Sequence, residues 1–392
     1  MSIFETLDVL VKETQMNSDF SPEEKIRYAR QTVLPLIGEA GQRKLQVARV
    51  LFVGTGGLGS APAMYLAAAG VGTIGLVDAD QVALSNLHRQ ILYETQDCGK
   101  SKVPTAAARL ARINPHIQIV QHQVRLGIDN ARDILAGYDL IIDGTDNLPS
   151  RYLINDACFF LQKAFVFGGV HQFEGQVSIF GPRGPCYRCL FPAMPPREDI
   201  PSCAEAGVIG VVPGIIGLMQ ASETVKLLCG IGDSLLGRLL IFNALSVTWR
   251  ELKVRKDPHC PLCGDNPTIR TLQESSWECS SDTGTIKPGE ISVQDLKRLR
   301  DQEPNLYMLD VRESSEWDLA HIEGAHLKPL STLEGCFQDI PRDRPVYCHC
   351  KSGNRSARAI AFLKSQGYTN LVNVRGGIQA WSEEIDRNIP LY

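Results

Sequence analysis

The run Ala48-Arg-Val-Leu-Phe-Val53 leads directly into Gly54-Thr-Gly-Gly-Leu-Gly59 and then into an alanine-rich stretch reaching about Ala69. No other feature constrains the fold as much, because a short apolar and β-branched run, a glycine turn and a helix make the opening of a strand–turn–helix unit. Glycines at 54, 56 and 59 let the backbone turn tightly and approach a phosphate at the positive end of the helix. A second strand, Thr73–Val77, ends at Asp78, about 20 residues after the turn, where a carboxylate accepts ribose hydroxyls. These two features alone are shared with dinucleotide-dependent oxidoreductases and favour that reading.

Further strands at Ile117–Val120 and Asp139–Ile142, the latter ending in Asp143-Gly-Thr-Asp-Asn147, alternate with helical segments. The pattern predicts an α/β fold with a doubly wound, Rossmann-like, mainly parallel sheet. Apolar segments at Ala164–Gly169 and Gln176–Phe180 extend it. Ser21-Pro-Glu-Glu24 is a capping box with proline at the first helical position, opening a helix that carries Arg27, Tyr28 and Arg30. Residues 1–20 read as a leader without the basic and apolar blocks of a secretory signal, which places the chain in the cytoplasm. The apolar run Ala204–Ala221 is interrupted by Gly207, Gly210, Pro213, Gly214 and Gly217, and reads as a buried or interface segment rather than a membrane span. A net charge of −4 argues against nucleic acid or an anionic membrane as a general partner and leaves proteins and small molecules.

Ser85-Asn-Leu-His-Arg-Gln90 and Lys102 place cations where a triphosphate needs them, and Asp146 offers a carboxylate for Mg²⁺. Hydride transfer has no use for that set. Each member has a plainer alternative: Arg89 and Lys102 as solvated charges, Asp146 as the cap of a helix beginning near Pro149.

Twelve cysteines in a reducing compartment point to metal ligands or reactive thiolates rather than disulfides. Cys186-x-x-Cys189 and Cys260-x-x-Cys263 form two paired hooks suited to tetrahedral Zn²⁺ with no open position, hence a structural ion. Buried free cysteines are the alternative. After Cys263 the composition turns polar, and 266–284 reads as a linker. From 285 to 392 α/β alternation resumes, with helices at Ser292–Arg300 and Ser356–Gln366 and strands at Leu306–Asp310, Pro345–His349 and Leu371–Val374. Cys350-Lys-Ser-Gly-Asn-Arg355-Ser356 joins a strand to a helix, so backbone N–H groups and the helix N-terminus can favour a thiolate or persulfide at Cys350, with Arg355 adding positive charge. Cys348 shares the face of Cys350 but precedes the loop and reads as structural.

Residues 20–265 resemble the ubiquitin-activating-enzyme-like adenylyltransferases, in particular the MoeB and ThiF group, through Arg27-Tyr-x-Arg30-Gln31, Gly54–Gly59, Ser85–Gln90, Lys102 and Thr145-Asp-Asn147. The resemblance implies that Gly57 and Asp78 contact ATP, that Asn86, Arg89 and Lys102 bind phosphates with Ser85, Leu87 and His88 beside them in the nucleotide site, and that Asp146, beside Asn147, holds Mg²⁺. It implies the same four zinc cysteines, and an Arg30 that reaches a neighbouring subunit's site in a homodimer. Residues 285–392 resemble a single rhodanese domain through Leu309-Asp-Val-Arg312, Glu316-Trp, His321-Ile-x-Gly-Ala325-His and Gly376-Gly-Ile-x-Ala-Trp381. That resemblance makes Cys350 the persulfide carrier and Asp310, Arg312 and His321 organisers of the fold. Cys203, in Pro201-Ser-Cys-Ala-Glu-Ala-Gly207, either attacks the acyl-adenylate or pairs with the carrier, or is a buried thiol. The implied substrate is a ubiquitin-like sulfur-carrier protein ending in Gly-Gly, with sulfur supplied by a cysteine desulfurase or thiosulfate. A rhodanese segment that only docks partners is the remaining competitor.

Overall fold

The computed structural model describes residues 20–195, 207–273, 289–303 and 305–390. They fall into two units, 20–273 and 289–390.

In the first unit, β1 (Arg49–Val53) turns Val50 and Phe52 to one face and Leu51 and Val53 to the other. Both faces are covered, which is why the strand reads as a continuous apolar run. Val50 and Phe52 pack with Leu66 of the helix Gly57–Ala69, Leu110 of the helix Lys102–Ile113 and Leu228 of the helix Val211–Cys229. Leu51 and Val53 pack with Leu135 of the helix Ala131–Ala136 and Ile154 of the helix Leu148–Phe160. The strands β2 (Thr73–Val77), β3 (Gln118–His122), β4 (Leu140–Asp143) and β5 (Phe165–His171) pair in parallel in the order β3-β2-β1-β4-β5. The winding reverses between β1 and β4, and at such a switch point a crevice opens beyond the carboxyl ends of the strands.

Three antiparallel strands extend the sheet past β5: β6 (Glu174–Phe180), β7 (Arg238–Asn243) and β8 (Thr248–Lys253). The sequence reading lacks β7 and β8. Every residue of β8 is exposed, so it presents no apolar alternation to detect.

The capping box at Ser21 is formed, with the Glu24 N–H donating to Ser21 Oγ at 3.2 Å and the Ser21 N–H donating to Glu24 Oε2 at 2.8 Å. The helix Val211–Cys229 is long and apolar enough to cross a membrane by length and composition. Here it is a core helix, packed on Gly57–Ala69 and on β5 and β6. It carries buried polar groups with internal partners: Gln220 Nε2 donates to the Asp143 carbonyl at 2.8 Å, and Glu223 accepts the Leu235 N–H at 2.9 Å. Gly217 allows the crossing, since a Cβ there would lie 2.6 Å from the Leu58 carbonyl oxygen.

The second unit is a parallel sheet in the order β11-β10-β12-β13-β9: Ala325–Leu327, Tyr307–Asp310, Val346–His349, Leu371–Val374 and Glu290–Ile291. Leu309, Val346, Leu363 and Leu371 fill one side of it, and Leu296, Met308, Val374 and Trp381 the other. Ser292 caps the helix Val293–Gln302, accepting the Asp295 N–H at 3.1 Å. The helix after Cys350 begins at Asn354 rather than Ser356, because Gly353 takes up a left-handed conformation (φ +104°) and starts it earlier.

Candidate functional site

The switch-point crevice is a cleft of about 350 Å³ at the ends of β1, β2 and β4. Gly54, Gly56, Gly57, Asp78, Arg89, Lys102, Asp146 and Asn147 all line it. Gly54 sits at φ +92°, and a Cβ there would lie 2.7 Å from the Gly144 carbonyl oxygen, so the turn after β1 and the turn after β4 approach each other only through glycine. Gly59 lies outside the lining. It serves the packing of the turn, since a Cβ there would fall 2.3 Å from the Gly54 carbonyl oxygen.

Asp78 is held rigidly. Its Oδ2 accepts the N–H and the hydroxyl of Thr55, each at 2.9 Å, and its Oδ1 accepts the Asp80 N–H at 2.9 Å. Tyr93 completes the chain, its buried hydroxyl donating to Thr55 Oγ1 at 2.7 Å; burial pushes its phenol above the ordinary range. Lys102 is buried along its stem, and its Nζ donates to the exposed carboxylate of Asp80 at 2.9 Å. Arg89 is oriented by its own neighbours, with Nη2 donating to Asn86 Oδ1 at 2.8 Å and Nη1 to the Ser85 carbonyl at 3.4 Å. Ser85, Asn86, Leu87 and His88 thus stand behind Arg89 rather than in the lining: His88 Nδ1 lies 3.0 Å from the Ser85 carbonyl, and Leu87 packs against the core. Arg30, on the helix Pro22–Thr32, does not line the cleft of its own chain.

Asp146 is exposed in the cleft, and the cap of the helix Leu148–Phe160 is Asn147, whose Oδ1 accepts the Ser150 N–H at 3.0 Å. Beneath them, Arg151 donates through Nε to Asp143 at 3.0 Å and through Nη2 to the carbonyls of Gly168 and Thr145 at 3.0 and 3.3 Å, with its guanidinium 4.7 Å from the Phe167 ring centroid. Asp143 also accepts the Thr145 N–H and hydroxyl. The loop bearing Asp146 is therefore fixed by a buried ion pair. The sequence reading missed Thr55, Asp80 and Arg125 as lining or bracing groups; Arg125 follows β3 at its carboxyl end, a position that a doubly wound sheet directs to the crevice.

The four cysteines 186, 189, 260 and 263 converge, all sulfurs lying within 4.8 Å of one another. Cys186 Sγ is 3.5 Å from Cys260 Sγ, and Cys189 Sγ is 3.3 Å from Cys263 Sγ. The hydrogen bond from Cys186 holds the Cys189 thiol below its ordinary range, and the Asp257 N–H donates to the same sulfur at 3.4 Å. The spacing suits one tetrahedral ion with sulfur ligands. Cys203 lies outside the described residues.

In the second unit Cys350 is buried at the end of β12. The Gly353 N–H donates to its Sγ at 3.1 Å, and the helix Asn354–Ser365 starts immediately beyond. The loop is held from outside as well, because the Ile378 and Gln379 N–H groups donate to the carbonyls of Cys350 and Lys351 at 2.9 and 3.0 Å. Gly377 (φ +57°) permits this approach: a Cβ there would stand 2.3 Å from the Cys350 carbonyl oxygen. Arg355 is matched by Glu316, with Nη2 donating to Oε1 at 2.8 Å, so its charge is balanced there rather than free beside the sulfur. Arg312 and Asp310 are fully buried and bonded to each other, and Arg312 Nη2 also donates to the Ala320 carbonyl at 2.9 Å. His321 stacks on Trp317 with centroids 4.2 Å apart. Cys348 is buried, which pushes its thiol up to about 12.

Residues 28–262 match the ThiF family and residues 292–384 the rhodanese-like domain. Over 387 residues the chain is 41% identical to "Probable adenylyltransferase/sulfurtransferase MoeZ" of Mycobacterium tuberculosis, covering 96% of this chain and 97% of that one. It is 49% identical over 266 residues to a sulfur carrier protein adenylyltransferase of Thermus thermophilus, covering 66% of this chain and 98% of that one. Among solved structures, Escherichia coli MccB with MccA-N7isoASN superposes with a TM-score of 0.55 at 20% identity, over 61% of this chain and 75% of that one, a likeness of fold.

Proposed function

The chain belongs to the ThiF family and carries a rhodanese-like domain, and from that premise we propose an adenylyltransferase and sulfurtransferase that converts the terminal carboxylate of a ubiquitin-like sulfur carrier into a thiocarboxylate. The adenylation step belongs to residues 21–265 and the sulfur step to 285–392, with 1–20 a leader and 266–284 a linker. The observation that carries the reading is the convergence of Arg89, Lys102 and Asp146 on one cleft beside the glycine turn.

The carrier's Gly-Gly carboxylate attacks the α-phosphate of ATP, a new P–O bond forms, and pyrophosphate leaves with the electrons of the broken bond. Negative charges meet in that step, and Arg89 and Lys102 stand in the cleft to balance them while the backbone of the glycine turn admits the phosphates. Asp78 orients the ribose. Mg²⁺, when bound at Asp146, supplies further charge balance on the phosphates. The acyl-adenylate is then attacked by the terminal sulfur of a Cys350 persulfide, with AMP leaving, and attack of Cys203 or another thiol on the Cys350 sulfur releases the thiocarboxylate and leaves a disulfide at Cys350, which a further thiol reduces. Sulfur reaches Cys350 from a cysteine desulfurase or thiosulfate. Having both steps on one chain raises the effective concentration of the sulfur donor. We assign Arg30 to the partner's cleft in a homodimer, and the enzyme to the cytoplasm, with no nucleic acid or membrane as partner.

The test is mass spectrometry of a Gly-Gly-ended carrier incubated with the chain, ATP, thiosulfate and a thiol reductant. Exchange of one carboxylate oxygen for sulfur is expected, and an unmodified carrier that shows no ATP–pyrophosphate exchange would falsify the adenylation step. Tyr93→Phe removes one buried hydrogen bond behind Asp78, a loss of about 1 kcal/mol. Its expected signature is a several-fold rise in the KM for ATP with kcat little changed, read by steady-state exchange.

We assign Zn²⁺ to Cys186, Cys189, Cys260 and Cys263, where it joins the residues after β6 to the end of the unit. A chelator should release one zinc per chain by colorimetric titration and lower the melting temperature by several degrees. Release of no metal from freshly purified protein would refute the assignment.

A further inference from the structure

Behind the sulfur of Cys350 lies a small polar group that the reaction as described leaves unused. Ser356, on the first turn of the helix Asn354–Ser365, is fully buried. Its hydroxyl has one proton and three acceptors in reach: Asn373 Oδ1 at 2.7 Å, the Gly353 carbonyl at 3.0 Å and Cys350 Sγ at 3.6 Å. Asn373 comes from β13, the strand next to β12, and its Nδ2 donates to the Gly353 carbonyl at 3.3 Å, which fixes the amide with its oxygen towards Ser356. The shortest of the three goes to Asn373. A thiolate is a much stronger acceptor than a thiol or an amide oxygen, so the balance of that choice depends on the charge of the sulfur.

We propose that Ser356 is a switchable donor to the Cys350 sulfur, its proton turning from Asn373 to the sulfur when the thiolate forms, and that Asn373 sets the threshold for that turn by competing for the same proton. The thiolate then receives both the Gly353 N–H and the Ser356 hydroxyl as donors. No proton leaves the serine; only the direction of its hydrogen bond changes. The consequence falls on sulfur loading and unloading. In loading from thiosulfate, the Cys350 thiolate attacks the outer sulfur, a sulfur–sulfur bond forms, and sulfite leaves with the electrons of the bond that breaks. In unloading to cyanide, the outer sulfur departs as thiocyanate and Cys350 is left as a thiolate again. Both steps pass through the charged sulfur that the serine serves.

This inference rests on the reading of Cys350 as the sulfur carrier, and the experiment separates the two. In the full-length protein, the rate of iodoacetamide labelling of the Cys350 peptide, followed by mass spectrometry across pH, reads the thiolate with no sulfur donor present. Ser356→Ala should move the midpoint of that profile up by about one pH unit, the scale of one hydrogen bond to a charged group. Thiosulfate–cyanide turnover near neutral pH should fall roughly tenfold with it, following the thiolate fraction. Ser356→Thr, which keeps the hydroxyl, should restore the profile. Asn373→Leu, which removes the competing acceptor, should move the midpoint down, opposite to the serine variant, whereas a merely structural loss would move both alike. An unchanged midpoint in Ser356→Ala, or one unchanged or raised in Asn373→Leu, overturns the proposal, and the second variant decides if the first does not fold. Persistence of sulfur transfer in a chain lacking the Cys350 thiol would overturn the carrier reading instead, whatever the labelling profile.

Discussion

Replacing Asp146 by alanine should cut carrier-dependent ATP–pyrophosphate exchange by roughly 10²–10³-fold, the scale of removing one preorganised charge-stabilising group, while the melting temperature stays where it is. The two halves of that expectation have separate grounds. Among the described residues Asp146 makes no hydrogen bond or ion pair, and its side chain is exposed, so the folded state loses nothing that depends on it. The cap of the following helix, the one structural task open to it from sequence, is performed by Asn147. What remains is its place in the cleft with Arg89 and Lys102, where the Mg²⁺-holding role proposed for it would matter only when phosphates are present. Exchange that stays within tenfold of the unaltered chain would remove Asp146 from the chemistry, and a drop in melting temperature would show that its role lies in the fold.

The legible parts of this chain are those where local chemistry and tertiary position agree. β2 and β13 run over the residues that the apolar pattern marks, and the Ser21 box and the glycine turn form as written. Parallel strands buried on both faces announce themselves by composition, whereas β8, exposed throughout, could be found only by seeing that β7 needed a neighbour. At the cleft the charged residues were legible but their pairing was not. Lys102 reads as a phosphate-binding cation, yet its immediate partner is Asp80, two residues beyond Asp78 and brought there by the bend after β2. Arg355 reads as a positive charge beside Cys350, but Glu316 lies 39 residues away and balances it, a distance no local pattern spans. Ser356 and Asn373 are silent for the same reason: a serine in the first turn of a helix and an asparagine in a strand become a polar pair only when β13 is laid beside β12.

The pairing of the two activities on one chain can be broken at a single sulfur. Cys350→Ala should abolish thiocarboxylate formation and thiosulfate–cyanide turnover, because no other described group replaces a thiol held by the Gly353 N–H at a helix start. ATP–pyrophosphate exchange with the carrier should be unchanged, since the cleft that performs it is built wholly from the first unit, with its own core. The fold should tolerate the change: the side chain is small and buried among Leu309, Val346 and Leu363, and loss of one sulfur there costs about 1 kcal/mol. The informative product is the acyl-adenylate. With adenylation intact and the sulfur donor removed, the carrier should accumulate with AMP attached, visible as an adduct by mass spectrometry under conditions where the unaltered chain yields thiocarboxylate. Continued thiocarboxylate formation would mean that sulfur reaches the activated carboxyl without Cys350, and the rhodanese-like domain would then be a docking element rather than the donor.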